Sequence, residues 1–201
     1  MAIITNAGPL DAMSLISDAL SHYSAIAAQR NTPSLLGGAL PSLSEPVRVY
    51  VLDIKDIVPG FDLNSAAKAH GWRYIVESGG QHTVMADLSG PRDGTATFRR
   101  LNVGPIAQQL YSVCEKATQL FDKTDPENYD VRLLEIPALY RQTLWLHGPI
   151  HDHFLTYWPA PVDGVFHEDK RFLEDIVQLA AKTVALRSPA PPEPETTPGL
   201  R

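Results

Sequence analysis

The chain has 201 residues, of which 44% are hydrophobic, so it is long enough to bury a sizeable core of its own. Seventeen basic residues against 23 acidic ones give a formal net charge of −6, and no run of lysine or arginine occurs. This balance argues against nucleic acid or an anionic membrane surface as the main partner. The single cysteine, Cys114, excludes an internal disulfide, and we interpret it as a small core residue.

The cellular compartment is predicted from the N-terminus and from the apolar runs. The stretch MAIITNAGPLDAM has neither a positively charged region nor a long apolar segment. Nowhere does the chain reach the ~18–20 continuous apolar residues that span a bilayer. Since one cysteine also fits a reducing compartment, we expect a soluble, cytoplasmic protein.

Residues 1–30 contain the first predicted helix. Apolar residues recur at spacings of three and four between Pro9 and Arg30, which is the pattern of an amphipathic helix. Residues 31–46 are rich in proline, glycine and serine and predict a linker. Because so long a linker is uncommon inside a compact domain, we expect an arm that docks on its own body or on another subunit. The alternative is a helix that simply packs on the sheet. The partner-binding residues would be Met13, Ile16, Leu20 and Tyr23.

Residues 47–187 predict a single α+β domain. Segments with the two-residue period of a strand, or apolar on both faces, are 47–54, 72–77, 82–88, 95–101, 131–136, 143–147 and 154–158. Helical spacing predicts a short helix over 63–70 and two long helices, one from about residue 103 and one over 168–187. The predicted fold is a mostly antiparallel sheet of about seven strands with long helices packed on it. Residues 188–201 hold five prolines and predict a disordered tail.

The stretch 139–158, LYRQTLWLHGPIHDHFLTYW, contains the densest group of possible metal ligands. It predicts two strands joined by a turn, with three histidines in or beside the turn: His147, His151 and His153. Imidazole is a common zinc ligand, and Asp152 or Glu168 would complete or orient such a site. The alternative is three solvated histidines on an exposed turn, since no spacing such as His-Glu-x-x-His is present.

Other polar motifs predict no specific chemistry. The pair Arg99-Arg100 lies within a predicted strand, so its side chains should point to opposite faces, and we interpret both as ordinary strand residues. Gly79-Gly80 joins two predicted strands, whereas a phosphate-binding loop would join a strand to a helix.

These patterns leave three functional hypotheses. The first is a non-enzymatic protein-binding or assembly module that uses the N-terminal helix to bind a protein partner or a second copy. The second is a metal-dependent hydrolase in which the three histidines hold a transition metal; without that site no cofactor is expected. The third is a small-molecule carrier with an apolar pocket, although core packing would explain its aromatic residues equally well. The pocket residues would be Trp72, Tyr140, Trp145 and Tyr157.

Overall fold

The computed structural model describes residues 3–4, 7–30, 42–78, 81–91, 95–124, 128–159 and 164–187. The predicted disordered tail, 188–201, lies outside the described residues, as does the predicted linker as far as residue 41.

Ten strands and four helices are formed by the described residues. In chain order they are β1 (Ile3–Ile4), α1 (Ala12–Gln29), β2 (Ser42–Leu43), β3 (Val47–Val51), α2 (Leu63–Ala66), β4 (Lys68–Ser78), β5 (Gln81–Ser89), β6 (Thr97–Val103), α3 (Pro105–Thr124), β7 (Tyr129–Ile136), β8 (Arg141–His147), β9 (Asp152–Trp158), β10 (His167–Glu168) and α4 (Asp169–Arg187). Two 3₁₀ turns, Ile54–Asp56 and Pro137–Leu139, lie between them.

All ten strands belong to one mixed sheet with the order β10-β9-β8-β7-β3-β4-β5-β6, while β1 pairs with β7 and β2 with β4. Two antiparallel meanders, β4-β5-β6 and β7-β8-β9, flank β3. Strand β3 is antiparallel to β4 and parallel to β7. The α+β class is therefore confirmed. The predicted count of about seven strands is too low, because three two-residue strands join the seven longer ones, and the sheet is mixed.

The predicted short helix over 63–70 is half its expected length. Asp62 caps α2 by accepting a hydrogen bond from the Asn64 N–H at 3.1 Å. Ala67 already has extended backbone angles, and Lys68 and Ala69 pair with β3. Pairing with β3 thus extends β4 backwards over residues whose local pattern favours a helix.

The helices divide between the two faces of the sheet. Since side chains alternate along a strand, Ile75 packs in the cluster under α3, while Tyr74 and Val76 pack with α1 on the opposite face. The α3 cluster is completed mainly by Met85, Leu133, Leu144, Leu146 and Leu155. The last helix, α4, buries Phe172, Ile176 and Ala180 against Trp145 and Phe154. No helix within the described ranges is both long and apolar enough to cross a membrane.

The predicted partner-binding set on α1 is divided by the structure. Ile16 and Leu20 are 0% and 2% exposed because they pack on Trp72 and its neighbours in the chain's own sheet. Met13 and Tyr23 remain 52% and 40% exposed. The helix thus covers the sheet of its own chain and buries Ile16 and Leu20 against it.

Candidate binding site

The sheet face that packs under α3 also carries charged residues beside its apolar cluster. On three strands the residue two positions from a core residue, and so on the same face, is charged. These pairs are Ile75 and Arg73 on β4, Met85 and Asp87 on β5, and Leu133 and Glu135 on β7. The apolar cluster is therefore continued on this face by an ion cluster.

Arg73 is the centre of this cluster, and its side chain is 1% exposed. Its Nε and Nη2 donate to the two carboxylate oxygens of Asp87 at 2.7 and 2.8 Å, and Nη2 also donates to Glu135 Oε1 at 2.6 Å. Its Nη1 donates to Gln142 Oε1 and Tyr157 Oη, both at 2.9 Å. All five guanidinium N–H groups thus have an acceptor. Arg73 is a framework residue with no donor left for a ligand.

The same contacts fix the protonation states of the cluster. Burial disfavours the charge of Arg73, but Tyr157 and the two carboxylates outweigh it and raise its pKa. Burial likewise favours neutral Asp87, yet the hydrogen bonds from Arg73 and Arg100 lower the pKa of its carboxyl group. Burial raises the pKa of Tyr157, so its phenol keeps its proton at neutral pH. Arg73, Asp87 and Tyr157 therefore hold fixed charge states near pH 7.

Asp87 should make stability depend on pH in acid. Because its folded pKa is lowered from 3.8, its stabilising contribution is complete well above that pH and is lost as the pH falls through the folded pKa. We expect Asp87→Asn to lower the free energy of unfolding by roughly 1.5–3 kcal/mol at neutral pH. Urea unfolding measured over a pH series should show the gap to the unmodified protein narrowing below about pH 4.

The exposed Asp18 on α1 provides the matched control, and Asp18→Asn should change the free energy of unfolding at neutral pH by no more than about 0.5 kcal/mol. A gap between Asp87→Asn and the unmodified protein that stays constant from neutral pH into acid would show that Asp87 is not a paired carboxylate.

Arg100 differs from Arg73 because its side chain is 51% exposed. Its Nε donates to Asp87 Oδ2 at 2.7 Å and its Nη2 to Glu135 Oε1 at 3.4 Å. Its Nη1 makes no hydrogen bond to another described residue. Arg100 is thus held in place by two carboxylates and still has N–H groups to offer to a ligand.

Two cavities, of about 230 and about 270 Å³, lie beside Arg100 and Glu135, which line both. The first, which we call the basic cavity, is also lined by His70, Gly71, Arg73, Asp87 and Arg99. The second, which we call the aromatic cavity, is also lined by Pro137, Tyr140, Arg141, Gln142 and Trp158. Together they have the size of a site for a small molecule, ~300–1,000 Å³.

Backbone irregularities shape the basic cavity. His70 is the extra residue of a β-bulge between β3 and β4, and Arg99 is the extra residue of a bulge between β5 and β6. Their side chains bond to each other across β5. A Cβ at Gly71 would lie 2.2 Å from the Leu88 carbonyl oxygen, so only glycine permits this approach of β4 to β5.

The rim of the aromatic cavity holds an exposed ring in an unusual conformation. Tyr140 follows the 3₁₀ turn and has a φ of 52°, which is uncommon for a bulky residue, and it is 78% exposed. Its N–H donates to the Pro137 carbonyl oxygen at 3.1 Å. Beside it, burial lowers the pKa of Arg141, and the nearby charge of Asp175 opposes this shift without reversing it.

Asp152 organises the histidine-containing hairpin. Its Oδ2 accepts from the Trp145 indole N–H at 2.7 Å, and its Oδ1 lies 2.8 Å from His147 Nδ1. Oδ1 also accepts from the Gly148 N–H at 3.2 Å. His147 therefore serves to close the turn of the hairpin, together with the carboxylate beside it.

The three histidines are not brought together. His147 lies on the face of Trp145, whereas His153 lies on the opposite face against Phe121 and Tyr129 of the α3 cluster. His151 is exposed in the turn. Among the described residues no group of three histidine, cysteine, aspartate or glutamate side chains is placed to hold a metal ion.

The predicted pocket residues also do not form one apolar pocket. Trp145 is 0% exposed on the α4 face, where it stacks with Phe154. Trp72 and Tyr140 line different cavities, and the Tyr157 hydroxyl is part of the ion cluster. Three of the four thus border the candidate site, which is polar where an apolar one was expected.

The sequence analysis missed the charged residues of the site. Arg73, Asp87 and Glu135 each interrupt an apolar strand at a position that faces the core. Charged residues of opposite sign at strand positions that face the core, one positive and two negative, are the sequence signal that could have identified a buried ion cluster. Arg100, interpreted as an ordinary strand residue, is the member of the cluster that solvent can reach.

In comparisons with protein-family models, curated proteins and solved structures, nothing matches this chain. The class that its fold and site define is an α+β protein with an ion cluster beside two cavities.

Proposed function

We propose that the protein is a non-enzymatic binding protein for a small ligand that carries a carboxylate or similar acidic group. The observation that carries this proposal is the position of Arg100. Its side chain is half exposed, it lines two cavities, and it is held by Asp87 and Glu135. Its Nη1 makes no hydrogen bond to a described residue. A preorganised guanidinium of this kind binds a carboxylate with little loss of side-chain entropy.

The local charge supports an acidic ligand. The two cavities are lined by four arginines, Arg73, Arg99, Arg100 and Arg141, against the two carboxylates Asp87 and Glu135. The protein as a whole has a net charge of −6, so this positive region contrasts with the rest of the chain. Such a region attracts and orients a small anion.

The chemistry of the site favours binding over catalysis. A general acid or base needs a pKa near the working pH, whereas the pKa of Asp87 is lowered and that of Tyr157 is raised. The one histidine among the described lining residues, His70, is bonded to Arg99. The described residues that line the two cavities include no serine, threonine or cysteine that could act as a nucleophile. A fixed set of charges suits recognition.

Titration with small carboxylates tests the proposal. Acetate, succinate and benzoate would be added to ¹⁵N-labelled protein while the Nε–H resonances of the arginines are followed. We expect the Arg100 resonance to shift, and Arg100→Ala to weaken binding about tenfold or more, the usual effect of losing a charge-assisted hydrogen bond.

Arg171, exposed on α4, is the matched control, and Arg171→Ala should leave the titration unchanged. Equal effects of the two substitutions, or no shift with any of the three anions, would contradict the proposal.

The other predicted functions have less structural support. An assembly function of α1 stays a proposal that now depends on Met13 and Tyr23, the members of the predicted set that remain exposed. The geometry does not favour a metal-dependent hydrolase, because His147 and His153 lie on opposite faces of the sheet.

A further inference from the structure

We infer that the ligand of this site is an aromatic carboxylate, with its acidic group on Arg100 and its ring against Tyr140 and Trp158. This inference rests on the proposed function and adds the second half of the ligand. The two cavities have different linings, basic on one side of Arg100 and aromatic on the other. A ligand that fills the aromatic cavity and bonds Arg100 must combine an anion with a flat apolar group.

Two exposed aromatic rings line the cavity where the apolar part of the ligand would lie. Tyr140 and Trp158 are 78% and 38% exposed, and both line the aromatic cavity with Pro137. Each ring presents apolar area to water that a bound ring would cover, and aromatic pairs gain further from edge-to-face or offset stacking. Tyr140 and Trp158 therefore mark where the apolar part of the ligand is bound.

The backbone holds the exposed ring of Tyr140 in the left-handed region. A residue with a φ of 52° is ordinarily glycine or asparagine, since a larger side chain adds strain there. A tyrosine at this position gives the protein a ring at the mouth of the cavity at a cost in stability. Strain of this kind is concentrated at functional sites.

Gln142 links the ring site to the anion site. It is paired with Trp158 across β8 and β9, and it accepts from Arg73 of the ion cluster. Arg100, Arg141 and Gln142 line the aromatic cavity together with the two rings. One small molecule can thus contact the rings and a guanidinium at once.

Binding of acetate, benzoate and benzamide near pH 7 tests this inference. The three probes separate the acidic group from the ring, since acetate has only the first and benzamide only the second. Trp72 lines the basic cavity, so tryptophan fluorescence would not report on Trp158 alone. The backbone amide resonances of ¹⁵N-labelled protein around Arg100 and Tyr140 follow all three probes and every variant. We expect benzoate to bind about tenfold more tightly than acetate, and more tightly than benzamide.

Substitution at the rim should remove this preference. Tyr140→Gly and Trp158→Leu are each expected to weaken the binding of benzoate about tenfold and to leave the binding of acetate unchanged. Tyr140→Gly also relieves the backbone, so its thermal stability should be equal or higher, which excludes unfolding as the cause of lost binding. Tyr140→Phe should retain binding, and Tyr23→Ala on α1 serves as the exposed-tyrosine control.

The outcomes separate the two proposals. Equal, Arg100-dependent binding of benzoate and acetate would overturn the aromatic ligand and leave the acidic one. Equal binding of benzoate and benzamide without dependence on Arg100 would overturn the proposed function itself. An absence of binding by all three probes would overturn both.

Discussion

Replacement of Arg73 by alanine is expected to lower the free energy of unfolding by about 3–5 kcal/mol. The substitution leaves Asp87 and Glu135, whose side chains are 10% and 13% exposed, without their main counter-charge. It also removes the donor to Gln142 and Tyr157. Urea unfolding monitored by circular dichroism at neutral pH would measure the change.

Two further variants make this expectation specific. Arg73→Lys keeps the charge but cannot reproduce the two parallel hydrogen bonds to Asp87. It should therefore lower the free energy of unfolding, but by less than Arg73→Ala. The double variant Arg73→Ala/Asp87→Asn should lose less free energy of unfolding than the sum of the two single losses. The reason is that Asp87→Asn removes a charge that Arg73→Ala leaves unpaired. A loss below about 1 kcal/mol for Arg73→Ala would show that the cluster does not stabilise the fold.

Truncation of the buried face of α1 is expected to have an effect of similar size. Ile16→Ala and Leu20→Ala should each lower the free energy of unfolding by about 2–5 kcal/mol, because each leaves a cavity above the sheet. Both side chains pack in the cluster that contains Trp72, so tryptophan fluorescence in urea would follow the transition.

Met13→Ala and Tyr23→Ala are the matched controls on the exposed face of the same helix, and they should change stability by no more than about 0.5 kcal/mol. A helix α1 that docks on another subunit would give a different pattern. All four variants would be as stable as the unmodified chain, and they would no longer associate with the partner.

The strands were predictable because each carries its own periodicity. The seven longer strands lie close to the predicted segments, since alternation within five or more residues is visible without the rest of the fold. The strands β1, β2 and β10 have two residues each, too few to show a period. Likewise, nothing local in residues 68–70 indicates that β3 recruits them into β4.

The site was not predictable in the same way, because it is made by pairing. Arg73 meets Asp87 because β4 and β5 place them directly opposite each other. From β7, Glu135 accepts hydrogen bonds from Arg73 and Arg100. Sequence distance gives no hint of this meeting. The histidine hypothesis had the converse weakness. His147 and His153 are close in sequence, but the register pairs His147 with Asp152 and leaves His153 on the other face.

The place of β3 between the two meanders has a consequence for how the chain reaches this fold. Each meander is built from hairpins, whose ends are already near each other in the unfolded chain. The parallel pairing of residues 48–51 with residues 132–135 instead closes a loop that contains the whole first meander and α3. Closing this long loop costs chain entropy, and non-local contacts of this kind slow folding. Because Glu135 lies on the strand that β3 brings into place, the ion cluster is complete only after that loop has closed.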